Sequence, residues 1–185
     1  MNSPISTNPQ QFPGSMRLLH WLMAALVLTM LCIGVAMVAS LYDYHQLVSI
    51  HRPLGMLILL LVVIRYINRR LHQLPPFPSN FPPSERFVAT ASEILLYSLL
   101  FLIPFIGWGM LSAARYPIVM FGSFHLFPIL PHNVMLYAFL RKTHTILAYV
   151  LFFAFAAHFS AVLFHTWVLR DRLFDRMAPW KARVR

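Results

Sequence analysis

Charge is scarce in this sequence. Only 11% of its 185 residues are charged, against 59% that are hydrophobic. A soluble domain does not carry so many long uncharged runs, so the chain reads as a small polytopic membrane protein. Cysteine is almost absent. The single Cys32 rules out an intrachain disulfide, and its place in an apolar run predicts a small core residue. No small-residue cleavage motif closes the apolar run that starts at Leu18, and that run is too long for a signal-peptide core, so a cleaved leader is not expected.

What is present is hydrophobic length. Four stretches qualify as membrane spans: residues 18–41, about 47–67, about 87–114, and 143–169. They predict an all-α fold, a four-helix transmembrane bundle over residues 16–178. Residues 1–15 are polar, with Pro4, Pro9 and Pro13, and read as a short disordered lead. Residues 179–185 form a basic tail.

The net charge of +10 follows the membrane. Four spans put both termini on one side. That side holds Arg17, Arg65, Arg69, Arg70, Arg86, Arg170, Arg172, Arg176, Lys181, Arg183 and Arg185; the other holds Arg52, Arg115, Arg141 and Lys142. Eleven cations against four put both termini in the cytoplasm. The basic tail then suits anionic lipid, and no nucleic-acid partner is expected.

Between the spans, residues 72–86 contain LPPFPSNFPP, a semi-rigid proline-rich connector. Residues 115–141 are apolar but have no span-length run free of Pro and Gly. They read as one or two interfacial segments roofing whatever lies beneath. His45, His72, His125 and His132 fall outside the spans and read as surface residues. Pro53 reads as tolerable within a first helical turn.

The histidines inside the spans carry the chemistry. His144 and His158 are 14 residues apart, close to four helical turns, so both rings leave nearly the same face about 21 Å apart along the axis. An imidazole at such depth is costly unless it faces the bundle interior and has a partner. Antiparallel spans supply partners by depth: His20 with His158 near the cytoplasm, and His51 with His144 near the periplasm. The third span has no histidine and reads as structural. Two neutral imidazoles at each level suit axial ligation of haem iron. Zinc ordinarily takes three or four protein ligands. No Cys-x-x-Cys-His occurs, so covalent attachment is excluded and the haems are b-type. His165 competes with His158 for the cytoplasmic level but lies about 10 Å nearer the interface, which favours His158. Arg65 follows His51 by 14 residues and can meet a haem propionate or reach the headgroups. Arg17 and Arg65 are assigned with the histidines to cofactor binding.

The motifs RLLHWLMA (17–24), HRPLG (51–55), RYINR (65–69), IPFIGWGMLSA (103–113), FGSFHLFPIL (121–130), KTHTILAYVLFFAFAAH (142–158) and RDRLFDRMAP (170–179) resemble the bacterial di-haem cytochrome b561 family. That family is related to the cytochrome b subunits of nickel hydrogenases. The resemblance covers nearly all of the chain beyond residue 15 and maps the family's four ligands onto His20, His51, His144 and His158. Two departures are Glu93, where relatives often carry histidine, and Pro53 after Arg52.

The resemblance implies a bacterial inner-membrane protein with two bis-histidine b-type haems, transferring electrons across the lipid bilayer to or from ubiquinone. Some members resemble superoxide oxidases, which pass an electron from superoxide to ubiquinone. Arg52, Arg141 and Lys142 stand beside the outer ligands, where cations steer a small anion. The alternative is an electron-transfer subunit working with a periplasmic or membrane redox partner, a dehydrogenase or hydrogenase. The residues themselves do not point to a quinone site; residues 115–141 and Trp108 are where one is sought.

Overall fold

The computed structural model describes residues 10–78, 81–120 and 124–180. Among them, four helices are long and apolar enough to cross a membrane: α1 (Gly14–Ala39), α2 (Tyr44–Leu71), α3 (Pro83–Ala113) and α4 (Val134–Phe164). Between α3 and α4, β1 (Ile118–Met120) and β2 (Phe124–Leu126) form an antiparallel ribbon that pairs Val119 with His125. After α4 the chain widens into a π-helical turn, His165–Leu169, and then makes a 3-10 turn, Leu173–Arg176.

Local signals explain some of the helix ends. Pro82 and Pro83 open α3, with Glu85 in its first turn, where a carboxylate suits the helix dipole. Arg69 and Arg70 close α2 with the opposite sign. The Asn133 side chain accepts the Leu136 N–H at 2.9 Å and caps α4. That cap starts α4 at Val134, so residues 134–141 extend the fourth span and are not interfacial loop. Residues 10–15, placed by the sequence reading in the polar lead, include a packed segment. The Phe12 N–H donates to the Arg176 carbonyl, and α1 begins at Gly14. Residues 1–9 and 181–185 lie outside the described residues.

Two more expectations are corrected. Because α2 begins at Tyr44, Pro53 is interior to the helix and not in its first turn. Its missing N–H leaves the Ser49 carbonyl without the usual helical donor. Cys32 is exposed on α1, not in the core. Outward faces of these helices meet hydrocarbon, where a small thiol needs no burial in protein.

Close packing joins α1 to α2 and α3 to α4, with a lesser seam between α2 and α3. The core has two clusters. Met23, Val27, Ile58 and Val62 pack α1 on α2; Leu99, Ile103 and Leu151 pack α3 on α4. Leu151 lies midway along α4 between His144 and His158, so apolar side chains fill the level between the two histidines.

At the far end from the termini, the segment after β2 is stitched to α3. Trp108 Nε1 donates to the Phe127 carbonyl at 3.0 Å. The buried Ser112 hydroxyl donates to the Trp108 carbonyl and accepts the Ile129 N–H. Gly109 lets Leu130 approach, since a Cβ there would lie 3.0 Å from Leu130 Cδ1. Ser112→Ala leaves the Ile129 N–H unpaired and is expected to cost about 1–3 kcal/mol. Hydrogen exchange checks this: protection at 127–133 falls while that of mid-helix residues is kept.

Candidate functional site

The four intramembrane histidines meet as two pairs. The ring centroids of His20 and His158 are 6.5 Å apart, with planes at 65°. Those of His51 and His144 are 6.1 Å apart, at 67°. The pairs lie at opposite ends of the bundle, about 21 Å apart by helix rise along α4. Each pair joins α4 to a helix of the other packed half, α1 or α2. His165, the competitor, is turned to Asp171 and sits against Phe81.

Both spacings can be tested against a metal. At metal–nitrogen bonds of about 2.0–2.1 Å, two imidazoles facing one ion from opposite sides have centroids roughly 6 Å apart. Both pairs match that separation. Among the described residues no three His, Cys, Asp or Glu side chains converge, so each level offers two imidazoles and no further donor of these types.

His144 is held for such a role. Its Nδ1–H donates to the Ile103 carbonyl at 3.1 Å, which keeps the lone pair on Nε2. Gly107, one turn on, makes room for the ring: a Cβ there would lie 3.3 Å from His144 Cε1. So IPFIGWG has a local meaning: Ile103 supplies an acceptor and Gly107 the clearance. His51 Nδ1 is buried without a partner, an unspent polar atom at the same level.

The other pair is less settled. Arg65 Nη2 donates to His20 Nδ1 at 3.1 Å, and the guanidinium lies over the Tyr97 ring. An arginine only donates, so while this contact stands the neutral His20 carries its proton on Nε2. For His20 to ligate through Nε2, Arg65 has to leave Nδ1. Arg17, the other cation assigned here, gives Nη1 to the Ala178 and Trp180 carbonyls, and its Nε is buried without a partner.

Arg141 and Lys142 are exposed and line an open depression with Tyr137, Ala138, Thr145 and Ile146, all on α4. Arg52, on α2, is not among its lining residues. Trp108 is committed to the Phe127 carbonyl, and His132 Nδ1–H donates to the Ala113 carbonyl. Glu93, the departure on α3, pairs with Arg69 at 2.6 Å. The sequence does not announce the Ile103 carbonyl, since a backbone acceptor belongs to no residue type. It does announce Gly107, because a glycine inside an apolar helix permits close approach of a neighbour, and here that neighbour is the His144 ring.

Residues 11–180 match a family model described as prokaryotic cytochrome b561. Cytochrome b561 homolog 2 of Escherichia coli (strain K12) is 31% identical over 176 residues, 93% of each chain. Probable superoxide oxidase CybB of Yersinia pestis is 29% identical over 136 residues, 71% of this chain and 74% of its own. Cytochrome b561 homolog 1 of Escherichia coli (strain K12) is 25% identical over 129 residues, 70% of this chain and 73% of its own.

Proposed function

The chain belongs to the prokaryotic cytochrome b561 family, and from that premise we propose that it holds two b-type haems, one between His51 and His144 and one between His20 and His158. Membership makes it a haem-binding, multi-pass electron-transfer protein of the bacterial membrane. The observation that carries the finer reading is the pair of imidazole separations, 6.1 and 6.5 Å, at two depths. When bound between these histidines, such haems would supply one-electron transfer.

The residues have distinct tasks. His144 is oriented by the Ile103 carbonyl, which fixes its tautomer. Leu151 and the two apolar clusters keep water from the level between the sites. Arg65, once off His20, is placed to neutralise a carboxylate of the lower group, and Arg17 lies one turn from His20 on the same helix. Both termini are cytoplasmic, on the eleven-to-four distribution of cations. A carboxy-terminal fusion that fluoresces only in the cytoplasm tests this.

The activity is oxidation of superoxide on the outer side and reduction of ubiquinone. Two superoxide anions each lose one electron and leave as dioxygen; ubiquinone takes both electrons and two protons. The support is the exposed Arg141 and Lys142 near the His144 end of α4, together with the relative named a probable superoxide oxidase. Rapid mixing of the oxidised protein with superoxide under anoxia tests it: the haem bands reduce and are discharged by added ubiquinone. Arg141→Gln with Lys142→Gln is expected to slow the superoxide step about ten-fold at low salt and flatten its salt dependence. Reduction by dithionite stays unchanged. Reduction by dithionite but not by superoxide moves the assignment to the second reading, a relay subunit for a membrane or periplasmic dehydrogenase.

A further inference from the structure

The segment after α4 has no hydrophobic periodicity, yet it holds a buried arginine. Arg170 and Arg172 take left-handed backbone conformations, φ 53° and 61°, and turn the chain back under the bundle. Asp171 stabilises the reversal, accepting the Leu173 N–H at one oxygen and facing His165 Nδ1 with the other. Asp175 pairs with Arg172 and completes the 3-10 turn that delivers Arg176 inward.

Arg176 is 5% exposed, and burial lowers its pKa from the ordinary arginine value. Its Nη2 donates to the Pro75 and Pro76 carbonyls at 2.8 and 2.7 Å, and its Nε to the Gln10 carbonyl at 3.4 Å. Its guanidinium lies over the Phe12 ring. A polyproline stretch has no internal hydrogen bonds, so its carbonyls need an outside donor, and a planar fork with five N–H groups serves several at once. Arg176 thus joins three segments distant in sequence: 10–12, 75–76 and its own.

What this joint holds in place matters. Trp21 Nε1 donates to the Met177 carbonyl at 2.7 Å, and the indole meets Phe174 edge-on. Arg17 Nη1 donates to the Ala178 and Trp180 carbonyls at 2.9 and 3.0 Å. Arg17 and Trp21 flank His20, three residues before it and one after. The acceptors for both belong to the stretch that Arg176 pins.

We propose that Arg176 is a positioning residue for the lower histidine pair: it locks residues 173–180 against the proline-rich loop and the amino-terminal segment, and that clasp sets the place of His20 through Trp21 and Arg17. The inference rests on the reading that His20 and His158 hold the lower haem. It deepens that reading by tying the geometry of one ligand to a segment some 150 residues away in sequence.

The test uses the full-length haem-loaded protein with Arg176→Ala, Arg176→Lys and Trp21→Phe. Low-spin haem signals are read by low-temperature electron paramagnetic resonance, with haem content and a redox titration. Arg176→Ala is expected to shift and broaden the lower-haem signal and weaken retention of that haem about ten-fold, leaving the upper signal unmoved. Arg176→Lys, which keeps the charge but not the fork, gives a smaller shift of the same signal. Trp21→Phe removes one hydrogen bond, keeps the ring against Phe174, and moves the lower signal alone; it decides the matter if Arg176→Ala does not fold. Equal disturbance of both signals, or none in Trp21→Phe and Arg176→Lys, overturns the clasp. A wild-type protein with a single haem, or a His20→Ala variant that keeps both, overturns the two-haem reading instead.

Discussion

His158→Ala is expected to halve the haem content, while His165→Ala leaves it whole. The two histidines are seven residues apart on the last helix, and both were candidates for the lower level. The structure separates them. His158 faces His20 with ring centroids 6.5 Å apart. His165 stands in the π-helical turn and is occupied with Asp171. If His20 and His158 together hold the lower haem, removing one of them leaves a buried cavity and a single attachment, and a non-covalent haem held so would be lost on purification or left open to carbon monoxide. The His51–His144 site is about 21 Å away by helix rise and shares no ligand with this one, so its half of the absorbance persists. Pyridine haemochrome content against protein concentration, with carbon monoxide binding as a second readout, measures both effects. Full content in His158→Ala without carbon monoxide binding, or half content in His165→Ala, defeats the assignment of the lower pair.

That the histidine pairs were legible at all follows from two periodicities. Hydropathy showed four spans, and antiparallel spans fix relative depth without any knowledge of side-chain contacts. Fourteen residues is close to an integral number of helical turns, so His144 and His158 share a face whatever that helix packs against. The start of α4 is also legible: Asn133 after a proline-rich turn is a cap signal, although the scattered Pro and Gly before it break up the apolar run.

Other features were hidden for a physical reason. Arg65 on His20 depends on how far α2 slides along α1, and residue spacing within one helix does not carry that. The Arg176 joint depends on backbone carbonyls, which every residue has and no residue type announces. Pro53 shows the opposite failure. Pro53 reads as tolerable within a first helical turn, yet α2 begins nine residues before it, at Tyr44, and runs on through it.

Gly107→Leu is expected to empty the upper site, and Gly34→Ala to leave both sites intact. The two glycines sit in helices of the same bundle and would look alike on a propensity scale, where alanine gains roughly 0.5–1 kcal/mol over glycine. Their surroundings differ. A Cβ at Gly34 meets nothing within 4 Å, so alanine there brings only the propensity gain. A Cβ at Gly107 lies 3.3 Å from His144 Cε1 and 3.5 Å from Nδ1. Gly107→Ala therefore asks the His144 ring to give by a few tenths of an ångström, at the expense of its 3.1 Å bond to the Ile103 carbonyl. Leucine adds three more carbons where the ring stands. Overpacking of a close-packed interior costs about 1–3 kcal/mol, and here the ring also loses the acceptor that holds its tautomer. The graded series is the test: alanine shifts the upper-haem potential, leucine removes that haem, and the lower-haem signal holds throughout. If Gly107→Leu keeps both haems with unchanged spectra, the His144 ring does not depend on this clearance, and the account of how α3 orients that ligand fails with it.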